Sequence, residues 1–155
     1  MDTLTLRDAT PDDRPWLLGA IAALNDHERA LHDTRLPGAE IAEAYFAKID
    51  GKGPIVLAIG VDGPVGYMAC RIETVDAPAE TEDSNVFGYI SDIFVAPEAR
   101  GRGIAGILVA EAERRLRPLG VTRLRLSSLA MNDSAIRAYR KVGFADYEVV
   151  LEKRL

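Results

Sequence analysis

Phe94-Val95-Ala96-Pro97-Glu98-Ala99-Arg100-Gly101-Arg102-Gly103-Ile104-Ala105 joins an apolar run that predicts a strand to the start of an amphipathic helix. The run ends at Pro97, which lacks the N–H that a strand ladder uses. Ile104, Leu108, Ala112 and Leu116 recur every four residues, so a helix begins directly behind the loop. The first backbone N–H groups of a helix have no internal partners and sit at the positive end of its dipole. Gly101 and Gly103 carry no Cβ to hold a ligand off the backbone, and Arg100 and Arg102 add formal positive charge. Such a junction suits a phosphate-bearing ligand.

Three other readings of the loop compete. A phosphate-loop NTPase needs Gly-Lys-Ser/Thr, and neither the lysine nor the hydroxyl is present. A dinucleotide fingerprint lies early in a chain and places an acidic residue roughly 20 positions further on. Here the loop lies in the second half, and Thr122-Arg123-Leu124-Arg125-Leu126 stands at that distance. An ordinary strand-to-helix turn would explain the glycines but not the two arginines beside them.

A second motif follows, Asn132-Asp133-Ser134-Ala135-Ile136-Arg137-Ala138-Tyr139-Arg140-Lys141-Val142-Gly143-Phe144. With the loop read as Arg/Gln-x-x-Gly-x-Gly/Ala and this stretch as Asn-x-x-Ala-x-x-x-Tyr-x-x-x-Gly-Phe, the chain resembles the GCN5-related N-acetyltransferases. The two signatures occur in the family's order, separated by one helix and one strand. They cover directly the last third of the chain.

That resemblance implies acetyl-CoA, or a related acyl-CoA, as donor and a primary amine of a small molecule or peptide as acceptor. It implies direct transfer in a ternary complex. Ile93, Phe94 and Val95 would pair with the pantetheine arm and polarise the thioester carbonyl. Backbone N–H groups across Arg100, Gly101, Arg102, Gly103, Ile104 and Ala105 would hold the pyrophosphate. Asn132 would contact CoA and Tyr139 would act as general acid for the leaving thiolate. Read from the residues alone, Tyr139 is equally a core tyrosine beside Ile136 and Val142, and Asn132 a plain helix cap.

An alkyl ammonium at neutral pH is no nucleophile, so the amine must lose a proton. Asp92 is a carboxylate in an otherwise apolar strand, just before the cofactor-pairing positions, and acids near this place serve as base in several branches of the family. A buried acid there would have a raised pKa; a structural acid paired with an arginine is the competing reading. In the branch that acetylates ribosomal proteins the base is a glutamate five positions before the asparagine motif, where this chain has Ser127. Glu28 and His27 near the end of the first helix would reach the acceptor side if they turned inward; by pattern both read as surface residues, as does His32. A water chain without a single base stays open. A catalytically silent acyl-CoA sensor or regulatory module is the rival to an enzyme, and an occluded acceptor cleft would favour it.

The composition narrows the rest. The chain has 155 residues, the size of one domain over 1–155 with a proper core, and 48% of them are hydrophobic. No apolar run approaches the ~20 residues of a membrane span, and the first residues lack a signal-peptide pattern, so a cytoplasmic protein without a membrane partner is expected. Cys70 is the only cysteine, which suits a reducing compartment, and its apolar neighbours make it structural. The net charge is −5, which argues against nucleic acid as partner. It divides unevenly: twelve Lys/Arg against six Asp/Glu from Arg100 onward, seven against eighteen before it. Two histidines five positions apart with no cysteine partner make a poor metal set, so no metal is expected. No Gly-x-Ser-x-Gly elbow or cysteine–histidine pairing is apparent. Homodimers are frequent in the family the chain resembles.

Along the chain, residues 3–7 alternate as a first strand, and Thr10-Pro11-Asp12-Asp13 is a helix start. Trp16 and Leu17 open the apolar face of that helix, and a second helix is predicted over 39–49 with Ile41, Tyr45 and Ile49 on one face. Residues 55–61 and 65–75 predict a hairpin about Asp62-Gly63. Residues 76–85, polar and acidic, predict a mobile loop within the domain. A strand over 86–95 enters the glycine loop; its alternation fails where Ile93, Phe94 and Val95 are all apolar, as a bulge or a doubly buried strand would give. Strands at 122–129 and 147–153 flank a helix over 132–142. The order β-α-α-β-β-β-α-β-α-β predicts an α/β fold. Its mixed, mostly antiparallel central sheet would have helices on both faces, and the resemblance implies splayed central strands.

Overall fold

The computed structural model describes residues 4–155. Five strands form one sheet in sequence order, β1 (Thr5–Asp8), β2 (Ile55–Gly60), β3 (Gly63–Thr74), β4 (Val86–Val95) and β5 (Leu124–Leu126). The first three pairings are antiparallel and β4–β5 is parallel. Helices α1 (Arg14–Arg29) and α2 (Gly38–Ile49) follow β1, α3 (Ile104–Leu116) follows β4, and α4 (Asp133–Lys141) follows β5. Thr3 of the expected first strand lies outside the described residues.

The sheet is covered on both faces, which is why its inner strands read as continuous apolar runs. Val56, Ala58, Met68, Cys70 and Ile90 face α3, meeting Ile104, Leu108, Val109, Ala112 and Leu116. Ile55, Leu57, Tyr67, Ala69 and Phe94 face the other way, against Leu17, Ala20 and Ile21 of α1 and Ala42 and Ile49 of α2. Leu17, Leu57 and Leu108 are sealed from water; each such side chain contributes roughly 1.5–3 kcal/mol. Trp16 packs edge-on against Tyr67 and Phe94, with ring centroids 6.3 and 6.2 Å away. Cys70 is buried, and burial pushes its thiol up to about 11, so it is inert.

One irregularity decides where β4 points its side chains. Ala69 pairs with Asp92 but Cys70 pairs with Ile90, so Ser91 is an extra residue in the ladder. Strict alternation would put Ile90, Asp92 and Phe94 on one face. The bulge leaves Ile90 toward α3 and turns Asp92 and Phe94 toward α1 and α2. A second consequence of the topology lies on the far side of β4. Strand β5 pairs with Gly88, Tyr89 and Ile90, so among the described residues no strand lies beside 91–95 on that side. The two central strands part, as a splayed sheet requires.

The predicted strand at 122–129 is therefore three residues long, because the chain leaves β4 after Leu126. The strand expected at 147–153 does not form. Val149, Val150 and Leu151 are 75–90% exposed, and β-branched residues make a strand only where an edge receives them. The middle of β5 is engaged instead: the Arg125 guanidinium lies over both Phe87 and Tyr147, 4.1 and 4.3 Å from the ring centroids. The loop over 76–85 is anchored to the body of the domain at several points. It contains a helical turn at Glu82–Ser84, with Ser84 buried and bonded by Arg125 at 2.7 Å, and Arg123 reaches Asp83 at 3.1 Å. Polar composition concealed these anchors because both arginines lie about 40 residues away.

Candidate active site

Where β4 and β5 part, a cavity of about 620 Å³ opens between the end of β4, the glycine loop, α3, α4 and the end of α1. Asp92, Ile93, Phe94 and Val95 form its strand wall, and Arg100, Gly101, Gly103, Ile104 and Ala105 its loop wall. Asn132 and Tyr139 come from α4 and its cap. Of the site residues read from the sequence, only Arg102 is not among its lining.

The loop wall has the geometry of an anion cradle. Gly101 and Gly103 both have φ near +77°, the left-handed region that residues with a Cβ rarely enter. A Cβ at either would meet no protein atom within 4 Å, so the space above them is open. The α3 ladder begins with Ile107 N–H donating to Gly103 O at 3.2 Å, and no side chain caps the helix. The N–H groups of its first turn thus have no partner inside the helix. Arg100 Nε donates to Val95 O at 3.1 Å, fastening the loop to the strand end. On α4, the Asn132 Oδ1 accepts the Ala135 N–H at 3.3 Å, so this residue caps the helix while lining the cavity.

The polar groups at the cavity floor are arranged around Asp92, which is 8% exposed. Tyr45 of α2 donates its hydroxyl to Asp92 Oδ1 at 3.0 Å. Among the described residues the other oxygen, Oδ2, has no hydrogen-bond partner and neither does the Tyr67 hydroxyl, and both atoms are sealed from solvent. Burial pushes the Asp92 carboxyl up to about 6; the Tyr45 hydroxyl acts in the opposite direction and the Glu28 charge reinforces the rise. Burial also pushes Tyr139 up to about 12, with the Glu28 and Asp92 charges adding to it, so it keeps its proton at neutral pH. Its ring meets Phe144 edge-on at 6.1 Å.

A second cavity of about 460 Å³ adjoins the first and shares Leu24, Glu28, Ser91, Asp92 and Ser127 with it. Its further walls are Ile21, Leu36, Ile41, Tyr45 and Tyr89, with the polar Asn25, Thr34 and Arg35 among them. Glu28 is not the surface residue its pattern suggested. It lines both cavities, paired with Arg35 Nε at 2.9 Å. Ser127 leaves the second cavity no carboxylate on the β5 side, and Tyr89 donates to its Oγ at 3.3 Å. Tyr45 and Tyr67 were absent from the sequence reading of the site. The only signal was the place of Tyr45 on the inward face of α2, and that is equally a core position.

Among the described residues no group of three His, Cys, Asp or Glu side chains is placed to hold a metal ion. Among them, too, no helix is long and apolar enough to cross a membrane.

Comparison with known proteins follows the same lines. The family model described as "Acetyltransferase (GNAT) family" matches residues 19–144. A mycothiol acetyltransferase of Paenarthrobacter aurescens (strain TC1) is 27% identical over 151 residues, 95% of this chain and 44% of that protein. The chain thus spans less than half the length of that relative. A tetramutant of the BH1408 protein from Bacillus halodurans superimposes with a TM-score of 0.82 at 19% identity, covering 97% of this chain and 99% of that one. The aminoglycoside N-acetyltransferase AAC(6')-Iy in complex with CoA does so with a TM-score of 0.72 at 17% identity, covering 100% and 96%. At these identities the two structures establish the likeness of fold.

Proposed function

Because the chain belongs to the acetyltransferase (GNAT) family, we propose that it is an N-acetyltransferase moving an acetyl group from acetyl-CoA to a primary amine of a small molecule or peptide. The observation that carries this reading is the meeting of two cavities at Asp92, one beneath an anion cradle and the other lined by α1 and α2. A silent acyl-CoA sensor needs the first cavity only.

The residues present fit the donor. The left-handed glycines, the open space above them and the unpaired N–H groups of α3 would hold the pyrophosphate. Ile93, Phe94 and Val95, on the stretch of β4 that β5 does not cover, would receive the pantetheine arm, with Asn132 on the opposite wall. Bound there, acetyl-CoA supplies an acetyl group activated as a thioester. Asp92, ionised above about pH 6, takes the proton that an acceptor ammonium must lose. The proton passes to the carboxylate and the nitrogen keeps the electron pair. Tyr139, protonated at neutral pH on the opposite side of the first cavity, donates to the departing sulfur. The apolar and aromatic walls of the second cavity receive the acceptor's carbon frame.

Thermal unfolding with acetyl-CoA, CoA, ATP and NAD in separate titrations tests the donor. A ligand at ~100 times its dissociation constant adds about 2.7 kcal/mol, so acetyl-CoA and CoA should raise Tm while ATP and NAD should not. Thiol release over a panel of primary amines then tests turnover. Tyr139→Phe should lower kcat by about 10²-fold and leave the acetyl-CoA dissociation constant nearly unchanged. Unchanged turnover would remove Tyr139 from the mechanism, and no response to either CoA species would remove the donor.

A further inference from the structure

We infer that Tyr45, reaching across from α2, is a positioning residue for proton transfer: its hydroxyl fixes one carboxylate oxygen of Asp92 at the wall that the two cavities share. The inference rests on the reading of Asp92 as the group that takes the acceptor's proton.

Three independent features converge on it. The bulge at Ser91 turns Asp92 out of the α3 face and toward α2, which a regular β4 would not do. Tyr45 Oη lies 3.0 Å from Oδ1, from a residue 47 positions away in the chain, so one oxygen is fixed by a single directed bond. The remaining oxygen is buried and has no hydrogen-bond partner among the described residues, so the Tyr45 hydroxyl makes the one directed bond that orients the carboxylate. Tyr45 also lines the second cavity. The residue that holds the carboxylate is thus a wall of the space the amine enters, and acceptor fit and carboxylate orientation are linked through one ring.

Other groups act on Asp92 from each neighbouring element. Glu28 of α1 raises its proton affinity, while Arg71 and the Tyr67 hydroxyl of β3 lower it. Tyr139 of α4 is itself raised by the Asp92 charge. His27 of α1 and Arg137 of α4 line the first cavity, and Tyr89 of β4 lines the second. Tyr45 differs from all of these in donating a hydrogen bond with good geometry to the carboxylate.

The test is the pH dependence of kcat/KM for the wild type, Tyr45→Phe and Asp92→Asn with one amine acceptor under saturating acetyl-CoA. The wild type should lose activity on the acid side with a midpoint near about 6. Tyr45→Phe keeps the ring and removes one oxygen that favours the charged carboxylate, so its acid limb should move up by about one pH unit. Its plateau should fall several-fold as the carboxylate loses its fixed orientation. A residue that merely supports the fold would lower the plateau without moving the limb. Asp92→Asn should abolish the limb and nearly all activity. An unmoved limb in Tyr45→Phe, beside a dead Asp92→Asn, would overturn the role of Tyr45 and leave the base assignment standing. A fully active Asp92→Asn would overturn the base assignment and the role of Tyr45 with it. Direct titration of the Asp92 carboxyl by ¹³C NMR in the wild type and Tyr45→Phe gives the same comparison without turnover, and equal midpoints would refute the inference.

Discussion

Asp92 has its own consequence for stability, opposite in sign to its use in catalysis. Its carboxyl titrates near about 6 in the folded protein against 3.8 for an ordinary aspartate, chiefly because it is buried. A folded-state value above the unfolded one means that the folded form binds the proton more tightly. The contribution of this one group to stability is then greatest below about pH 4 and declines as the pH rises through 6. With a shift of roughly two units, the loss by neutral pH is about 3 kcal/mol as an order of magnitude. Asp92→Asn, which removes the charge and keeps the shape, should therefore unfold at a higher temperature than the wild type at pH 7.5 and at a similar one near pH 4. Differential scanning fluorimetry at the two pH values checks this, and equal melting temperatures at pH 7.5 would mean that the buried charge is compensated by another group. An acid in an apolar strand was legible in the sequence as a candidate base. Its setting was not. The arginine partner allowed for by pattern is absent from its hydrogen bonds, and its actual partner, Tyr45, lies in another element. No local spacing encodes that meeting.

At the scale of elements, legibility follows how much of an element's reason for existing is local. The strand over 86–95 and the presence and start of the helix behind the glycine loop were readable, because a proline, two glycines and a four-residue period mark them from within. Strand β5 was overextended because its length depends on how long β4 stays beside it. The α3 start also sets up a prediction. At Gly103, φ of +77° costs a residue with a Cβ roughly 1–2 kcal/mol, and a β-branched one more. Gly103→Val should leave the helix formed, since Leu108, Val109, Ala112 and Leu116 remain sealed against the sheet. It should also shift the first-turn N–H groups and place methyl groups in the open space above the loop. The acetyl-CoA dissociation constant should therefore rise by at least about tenfold, with only a modest fall in Tm, a comparison calorimetric titration and thermal unfolding give directly. Unchanged affinity would refute the loop as the phosphate cradle.

The whole molecule has two cores, one on each face of a single sheet, and the fully buried residues of both are in place before α4 begins. Phe144 is the last residue packed against either. Beyond it, the chain is tied by the surface pairs Arg140–Asp146 and Arg154–Asp33, by Glu152 3.6 Å from His32, and by Tyr147 over Arg125. Exposed ion pairs contribute about 0–1 kcal/mol each, less in salt, and exposed valines and leucines contribute little. The last strand was expected because the segment's composition is β-like, yet composition cannot supply an edge to pair with. Removal of residues 148–155 should accordingly cost no more than about 1 kcal/mol, a fall in Tm of roughly 2–4 °C for a chain of this size. Acetyl-CoA should stabilise the shortened and full chains equally, since no residue of that segment lines either cavity. A fall of 10 °C or more would show that Val149, Val150 and Leu151 find a buried partner in solution. The open side of β5 would then be the place to look for it, through cross-strand amide contacts in NMR spectra of the full chain.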